Sequence, residues 1–158
     1  MRNKNGRAAV ACFAAALTVP MSIPAHAQAS LAEAEAIRKL DIMLMVSALV
    51  CRSSKYNFQS EYERFSARHL PALNAAYRLL HADLARVHGA TKAKKLLDSM
   101  SVRMANSYGS GHPWLGCEEL KETTAELANR TTGHRLHASA VYLLADAPAG
   151  AGTILAAG

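Results

Sequence analysis

Apolar residues recur at helical spacing through the middle of this chain. One face carries them three or four positions apart from residue 58 to residue 87: Phe58, Tyr62, Phe65, His69, Leu73, Ala76, Leu80, Leu84 and Val87. This spacing predicts a single amphipathic helix, and Gly89 is placed to end it. Pro71 lies inside the run without changing its phase, so we expect the helix to lose one backbone hydrogen bond and to bend there.

A more hydrophobic segment precedes this long helix. Ser30 is a candidate N-cap, and the residues from there to about Arg52 predict a first helix. From Ile42 to Cys51 the sequence is apolar on nearly every side, which is typical of a helix surrounded by others. Such a run of about ten residues is too short to cross a bilayer, so it predicts the centre of a helical bundle.

Three shorter helical patterns follow. A third helix is predicted over residues 91–108, with inward positions Leu96, Leu97, Met100, Met104 and Tyr108. A fourth is predicted with Pro113 in its first turn and inward positions Cys117, Leu120, Thr124 and Leu127. A short final helix is predicted after Gly133, and we find no strand alternation. The sequence therefore predicts an all-α, up-down helical bundle of four to five helices over residues 28–146.

The two ends of the chain do not follow the bundle pattern. Residues 1–27 combine three basic residues with an apolar stretch and end in Ala25-His26-Ala27, which is typical of an export signal peptide cleaved before Gln28. A lipoprotein anchored at Cys12 is a weaker interpretation, because the apolar stretch continues past that cysteine. Residues 147–158 are rich in Ala and Gly and predict a flexible tail. We expect a periplasmic or secreted protein with no membrane span after cleavage.

The overall charge argues against a nucleic-acid partner. The chain of 158 residues has 18 Lys and Arg against 12 Asp and Glu. Three of those basic residues and none of the acids fall in residues 1–27, so the remainder carries a formal charge of +3. That value is ordinary for a soluble domain and is not the footprint of nucleic-acid binding.

The cysteines predict one disulfide. After signal cleavage only Cys51 and Cys117 remain, and two thiols in an oxidising compartment most often pair. In a simple up-down bundle the end of the first helix and the start of the fourth lie at the same pole, where these cysteines would meet. No CxxC spacing supports a redox or metal-binding pair.

Residues 108–117 form the most unusual local segment, because a Gly-Ser-Gly turn is joined to a histidine, the single tryptophan and a cysteine. One interpretation is a partner-docking or ligand-binding loop in which Tyr108, His112 and Trp114 make the contact. The other is a structural corner between two helices, whose Trp114 packs over the disulfide. Loop glycines satisfy chain reversal in either case, so both interpretations stay open.

Candidate catalytic and metal sites are weak. His134 and His137, three residues apart on a predicted helix, could share a metal ion, but the sequence specifies no third ligand. Because His69 lies on the apolar face of the long helix, we expect it to be a core histidine with one hydrogen bond. We identify no catalytic residues, no metal site and no cofactor motif.

Three stretches carry a resemblance to a known family. They read KLDIMLMV at 39–46 followed by Cys51 and Arg52, FSARHLP at 65–71, and HPWLGC at 112–117. Over most of residues 30–130 the chain resembles a family of short exported helical bacterial proteins of uncharacterised function. Some of these carry the label S-adenosyl-L-homocysteine hydrolase. Such an enzyme needs a dinucleotide-binding α/β domain, and this chain has no GxGxxG after a strand.

These observations favour a non-enzymatic binding or envelope-accessory module, either chaperone-like or inhibitor-like. Its partner would be a protein or small ligand of the cell envelope, bound without a cofactor. The alternative is a small hydrolase or metal-dependent enzyme that uses His112 or the His134/His137 pair.

Overall fold

The structure, a computed structural model, describes residues 25–130 and 133–145. Within these ranges the chain forms helices and no strand, which confirms the predicted all-α class. The helices are α1 (Ala25–Val50), α2 (Gln59–His88), α3 (Ala90–Ser107), α4 (Cys117–Arg130) and α5 (Gly133–Leu144), with a short 3-10 turn at Cys51–Ser53 after α1. Residues 1–24 of the predicted signal peptide and the predicted tail lie outside the described residues.

Helix α1 lies at the centre of the fold, as its apolar sequence predicts, because it contacts each of the other four helices. Leu40, Met43 and Leu44 on this helix are completely buried. Each such side chain stabilises the fold by about 1.5–3 kcal/mol relative to an exposed one. The apolar run is nevertheless not buried all round, since Leu49 and Val50 remain 50% and 45% exposed at the end of the helix.

The start of α1 differs from the prediction. The helix begins at Ala25, so Ser30 lies inside it rather than at its N-cap. Residues 25–36 contain six alanines, and alanine has the highest intrinsic helix propensity. This composition explains why the helix extends beyond the predicted cap.

Helix α2 runs without interruption through Pro71, as the unbroken phase of its apolar face predicts. Most of that face is buried: Phe58, Phe65, His69, Leu73, Ala76 and Leu80 are less than 9% exposed. Val87 is 56% exposed, so the prediction that it packs inward is wrong. Gly89 ends the helix with a φ of 81°, a conformation that side-chain-bearing residues rarely adopt.

The last three helices follow the predicted order with two corrections. On α3, Leu97 and Met104 are buried, but Leu96 is 38% exposed and does not face inward as predicted. Helix α4 begins at Cys117, so Pro113 lies in the connection before it and not in its first turn. The Gly116 N–H donates to the Glu119 side chain at 2.8 Å, which satisfies a donor at the helix N-terminus that would otherwise be free.

Cys51 and Cys117 lie at disulfide distance, with their Cα atoms 5.7 Å apart. The predicted pair therefore connects the end of α1 to the first residue of α4. A crosslink that closes a loop of this length is expected to stabilise the fold by about 4 kcal/mol through its effect on the unfolded chain.

A polar network inside the bundle joins three helices. Tyr62 on α2 donates its hydroxyl to Asp41 on α1 at 3.1 Å. Arg38 donates to Asp41 and to Ser101 on α3, each at 3.3 Å. Burial raises the pKa of the Asp41 carboxyl, and the Tyr62 hydrogen bond and the Arg38 charge only partly oppose this. Burial and the neighbouring Asp41 raise the pKa of Tyr62.

His69 connects α2 to α4. It is 4% exposed, and its Nε2 lies 3.0 Å from the Leu127 carbonyl oxygen, which accepts the ring proton. The prediction of a core histidine with one hydrogen bond is confirmed.

Candidate functional site

Four rings meet where the loop after α3 reaches the end of α5. We call Tyr108, His112, Trp114 and Tyr142 the aromatic corner. The ring centroids of His112 and Trp114 lie 4.9 Å apart and nearly perpendicular, and those of Trp114 and Tyr142 lie 6.0 Å apart in the same edge-on arrangement. The rings of Tyr108 and His112 are stacked, with their centroids 6.3 Å apart. Edge-on contacts of this kind are the favourable geometry for aromatic pairs.

The loop reaches this position through a turn that requires glycine. Gly111 has a φ of 96°, and its N–H donates to the Tyr108 carbonyl oxygen at 2.8 Å. A Cβ atom at Gly111 would lie 3.7 Å from the Val50 side chain. The turn therefore rests against the end of α1, next to the Cys51–Cys117 pair.

The ring of His112 makes three hydrogen bonds to the backbone. Its Nε2 lies 2.8 Å from the Leu143 carbonyl oxygen, which can only accept, so this nitrogen carries the proton. Its Nδ1 accepts from the N–H groups of Trp114 at 3.3 Å and Leu115 at 3.1 Å. His112 is therefore a neutral imidazole with both nitrogens in use. Burial lowers its pKa, and the Leu143 carbonyl partly opposes that shift.

Trp114 adds a second contact with the same helix end. Its indole Nε1–H donates to the Ala145 carbonyl oxygen at 3.2 Å. The last carbonyl groups of a helix have no partner within the helix. His112 and Trp114 supply donors to Leu143 and Ala145, so the loop between α3 and α4 caps α5.

The three predicted contact residues differ in their exposure. Tyr108 and His112 are 6% and 9% exposed, so their side chains hold the loop rather than form its surface. Trp114 is half-buried. Tyr142, which the sequence analysis did not identify, is 64% exposed and lies against the Trp114 ring. The exposure of Tyr142 could have been found from the helix periodicity, because Tyr142 falls outside the face that Leu136, Ala140 and Leu143 form on α5.

Several shallow clefts lie on the surface of the described helices. One, of about 440 Å³, separates α4 from α5 and is lined by Glu126 and Arg135 together with Tyr142, so it opens beside the aromatic corner. Another, of about 460 Å³, lies between α1 and α2, and half of its lining residues are alanines. The cleft between α4 and α5 extends the surface of the aromatic corner. The cleft between α1 and α2 lies on helices that carry none of the four rings.

The other candidate chemistry does not converge in the described part of the chain. No group of three potential metal ligands occurs among the described residues. His137 is half-buried on α5, and the side chain of His134 lies outside the described residues. No helix within residues 25–130 and 133–145 has the length and apolar character that a membrane span needs.

Comparison with known proteins identifies no relative. No protein family, no curated protein and no solved structure matches this chain.

Proposed function

We propose that this protein is an exported, non-enzymatic binding or envelope-accessory module, chaperone-like or inhibitor-like, and that it docks a partner protein at the aromatic corner. One observation carries the proposal. Trp114 is fixed by the Ala145 carbonyl at one edge and by His112 beside it, while the exposed ring of Tyr142 lies against it. The two rings therefore form a surface that is already ordered without a partner.

Order of this kind favours binding. A large aromatic side chain supplies much contact area, and when it is already held in one position less conformational entropy is lost on association. Val50, which lies against the Gly111 turn, and Val141, which precedes Tyr142 on α5, are 45% and 54% exposed.

Catalysis at the corner is the less favoured alternative. A histidine that acts as a base or as a metal ligand needs a free nitrogen lone pair. The Nδ1 lone pair of His112 accepts from two backbone N–H groups, and Nε2–H donates to Leu143. Both ring nitrogens are therefore occupied by hydrogen bonds that hold the loop in place.

The proposal includes cleavage of a signal peptide before Gln28 and release into the periplasm or outside the cell. Cleavage there would remove the first three residues of α1 and would leave its buried residues from Ala34 onward in place. The resemblance to short exported bacterial proteins is part of the same proposal. Mass spectrometry of protein from its native compartment should find Gln28 as the first residue, and an uncleaved precursor would contradict export.

The proposal also includes an up-down arrangement of the helices. Tyr62 near the start of α2 bonds to Asp41 in the second half of α1. Further along α2, Ala76 lines a cleft with Ile37, which lies earlier on α1. These contacts support an antiparallel α1–α2 pair.

Site-specific photocrosslinking tests the docking role. The photoreactive residue benzoylphenylalanine replaces Tyr142 in one variant and Tyr77, an exposed tyrosine on α2, in a matched control. We expect a defined adduct in envelope extract from position 142 only, competed by excess wild-type protein and not by a Tyr142→Ala competitor. Equal adducts from both positions, or none from position 142, would contradict the proposal.

A further inference from the structure

We propose that His112 is an acid-sensitive latch, and that its protonation releases the loop backbone at Trp114 and Leu115 from the His112 ring. The latch is the set of three hydrogen bonds between the His112 ring and the backbone of residues 114, 115 and 143. It concerns the same surface as the proposed function. Its consequence for a partner rests on that function, whereas the opening itself does not.

Protonation changes the balance of hydrogen-bond donors and acceptors around the His112 ring. In a protonated imidazole both ring nitrogens are donors. The Nδ1 of His112 faces the N–H groups of Trp114 and Leu115 at 3.3 and 3.1 Å, and these groups can only donate. Protonation therefore places the new Nδ1–H against the two backbone N–H groups with no acceptor among them. Both hydrogen bonds to Nδ1 are lost. The Nε2–H bond to Leu143 and the indole bond from Trp114 to Ala145 do not use the Nδ1 lone pair, so protonation releases only the backbone at residues 114 and 115.

Among the described residues, the Leu143 carbonyl at the end of α5 favours the added proton, and it only partly opposes the effect of burial. From the end of α3, Tyr108 stacks on the ring, and from α5, Tyr142 reaches Trp114 rather than His112. On the α4 side, the Glu119 carboxylate accepts from Gly116 N–H, and on the α1 side the loop meets Val50. Cys51 and Cys117 are paired and do not titrate. Asp146, which follows Ala145 in the sequence, lies outside the described residues.

The opening is expected on the acid side of the ordinary histidine range. Burial lowers the pKa of His112, so the neutral ring persists below the usual value of about 6.5. Because Cys117 stays bonded to Cys51, the opening is confined to the loop before α4. A partner held on the Trp114 and Tyr142 rings would bind less tightly at acid pH, because the backbone that carries Trp114 is then less well held.

Tryptophan fluorescence tests the latch directly, because Trp114 is the only tryptophan in the chain. In the isolated protein, titrated from about pH 7.5 to about pH 4, we expect a reversible red shift of the emission while the far-UV circular dichroism of the helices stays constant. His112→Gln, which does not titrate, should abolish the shift. His137→Gln and Asp146→Asn, matched controls near the end of the chain, should retain it.

A second measurement covers the case in which His112→Gln does not fold. NMR titration of the His112 ring in the wild-type protein should follow the same pH dependence as the emission. The latch is refuted if the emission does not change, if it changes only together with loss of helix, or if the His112→Gln variant still shows it. None of these measurements uses a partner, so they fail or succeed independently of the crosslinking experiment.

Discussion

The ring of His112 donates to the carbonyl oxygen of Leu143 at 2.8 Å, across 31 residues of sequence. This bond and the neighbouring bond from Trp114 to Ala145 make the loop between α3 and α4 the cap of α5. The carbonyl groups at the end of α5, which have no partner within the helix, are thus capped by donors from a loop that is distant in sequence. The stability of α5 and the order of the aromatic surface are consequently coupled.

Gly111→Ala should destabilise the protein. The positive φ of 96° is unfavourable for a residue with a Cβ, so we expect a loss of about 1–2 kcal/mol in the free energy of unfolding. Gly109→Ala is the matched control in the same loop, because a Cβ there meets only the Asn106 carbonyl oxygen at 3.5 Å, an ordinary contact. Urea unfolding of the two variants measures the difference, and equal losses would contradict a special role for the Gly111 turn.

Trp114→Phe should keep an aromatic ring in the corner but remove the indole N–H that bonds to Ala145. We expect a folded protein that is less stable by about 0.5–1.5 kcal/mol, the usual net value of one hydrogen bond. Tyr142→Phe retains the edge-on contact with Trp114 and should change stability by less than about 0.5 kcal/mol. Thermal unfolding followed by circular dichroism distinguishes the two, and an unchanged Trp114→Phe variant would show that the indole bond contributes nothing.

Replacing both Cys51 and Cys117 by serine should lower the free energy of unfolding by about 2–4 kcal/mol, because the unfolded chain then loses its largest constraint. Chemical reduction of the wild-type protein is the matched comparison and should have a similar effect. Mass spectrometry with thiol alkylation should find no free thiol in mature protein from its native compartment. Two alkylated cysteines in that material would contradict both the pairing and the proposed oxidising location.

Asp41→Asn should change how stability depends on pH. Burial raises the pKa of Asp41, so the folded protein binds this proton more tightly than the unfolded chain does. The contribution of Asp41 to stability is then fully present below its unfolded pKa and is lost as the pH rises through the folded value. As the pH falls from about 7 to about 4, the free energy of unfolding of the wild type should therefore rise relative to that of Asp41→Asn.

Chemical denaturation at several pH values measures that gain. The exposed Asp98→Asn variant on α3 serves as the control and should show a smaller pH-dependent difference from the wild type. A difference between wild type and Asp41→Asn that stays constant with pH would show that burial does not perturb this carboxyl.

The predictions from the sequence succeeded where a local rule decides the outcome. The spacing of Phe65, His69 and Leu73 defines one helix face whatever lies against it, so α2 and its buried side were predictable through Pro71. Ser30 and Pro113 were misplaced because the type of a single residue does not fix a helix start. Helix α1 extends back through an alanine-rich stretch to Ala25, and α4 begins at Cys117, where Glu119 accepts from the Gly116 N–H.

The sequence by itself determined the helical class, the central position of α1 and the pairing of Cys51 with Cys117. Hydrophobic periodicity and the number of cysteines can be counted along the chain, so these predictions do not require the positions of other helices. Only the tertiary structure decided that His112 and Trp114 bond to the end of α5 and that Tyr142 completes their surface. These contacts join residues about thirty positions apart. No local pattern encodes them, since they depend on where α5 packs on α1.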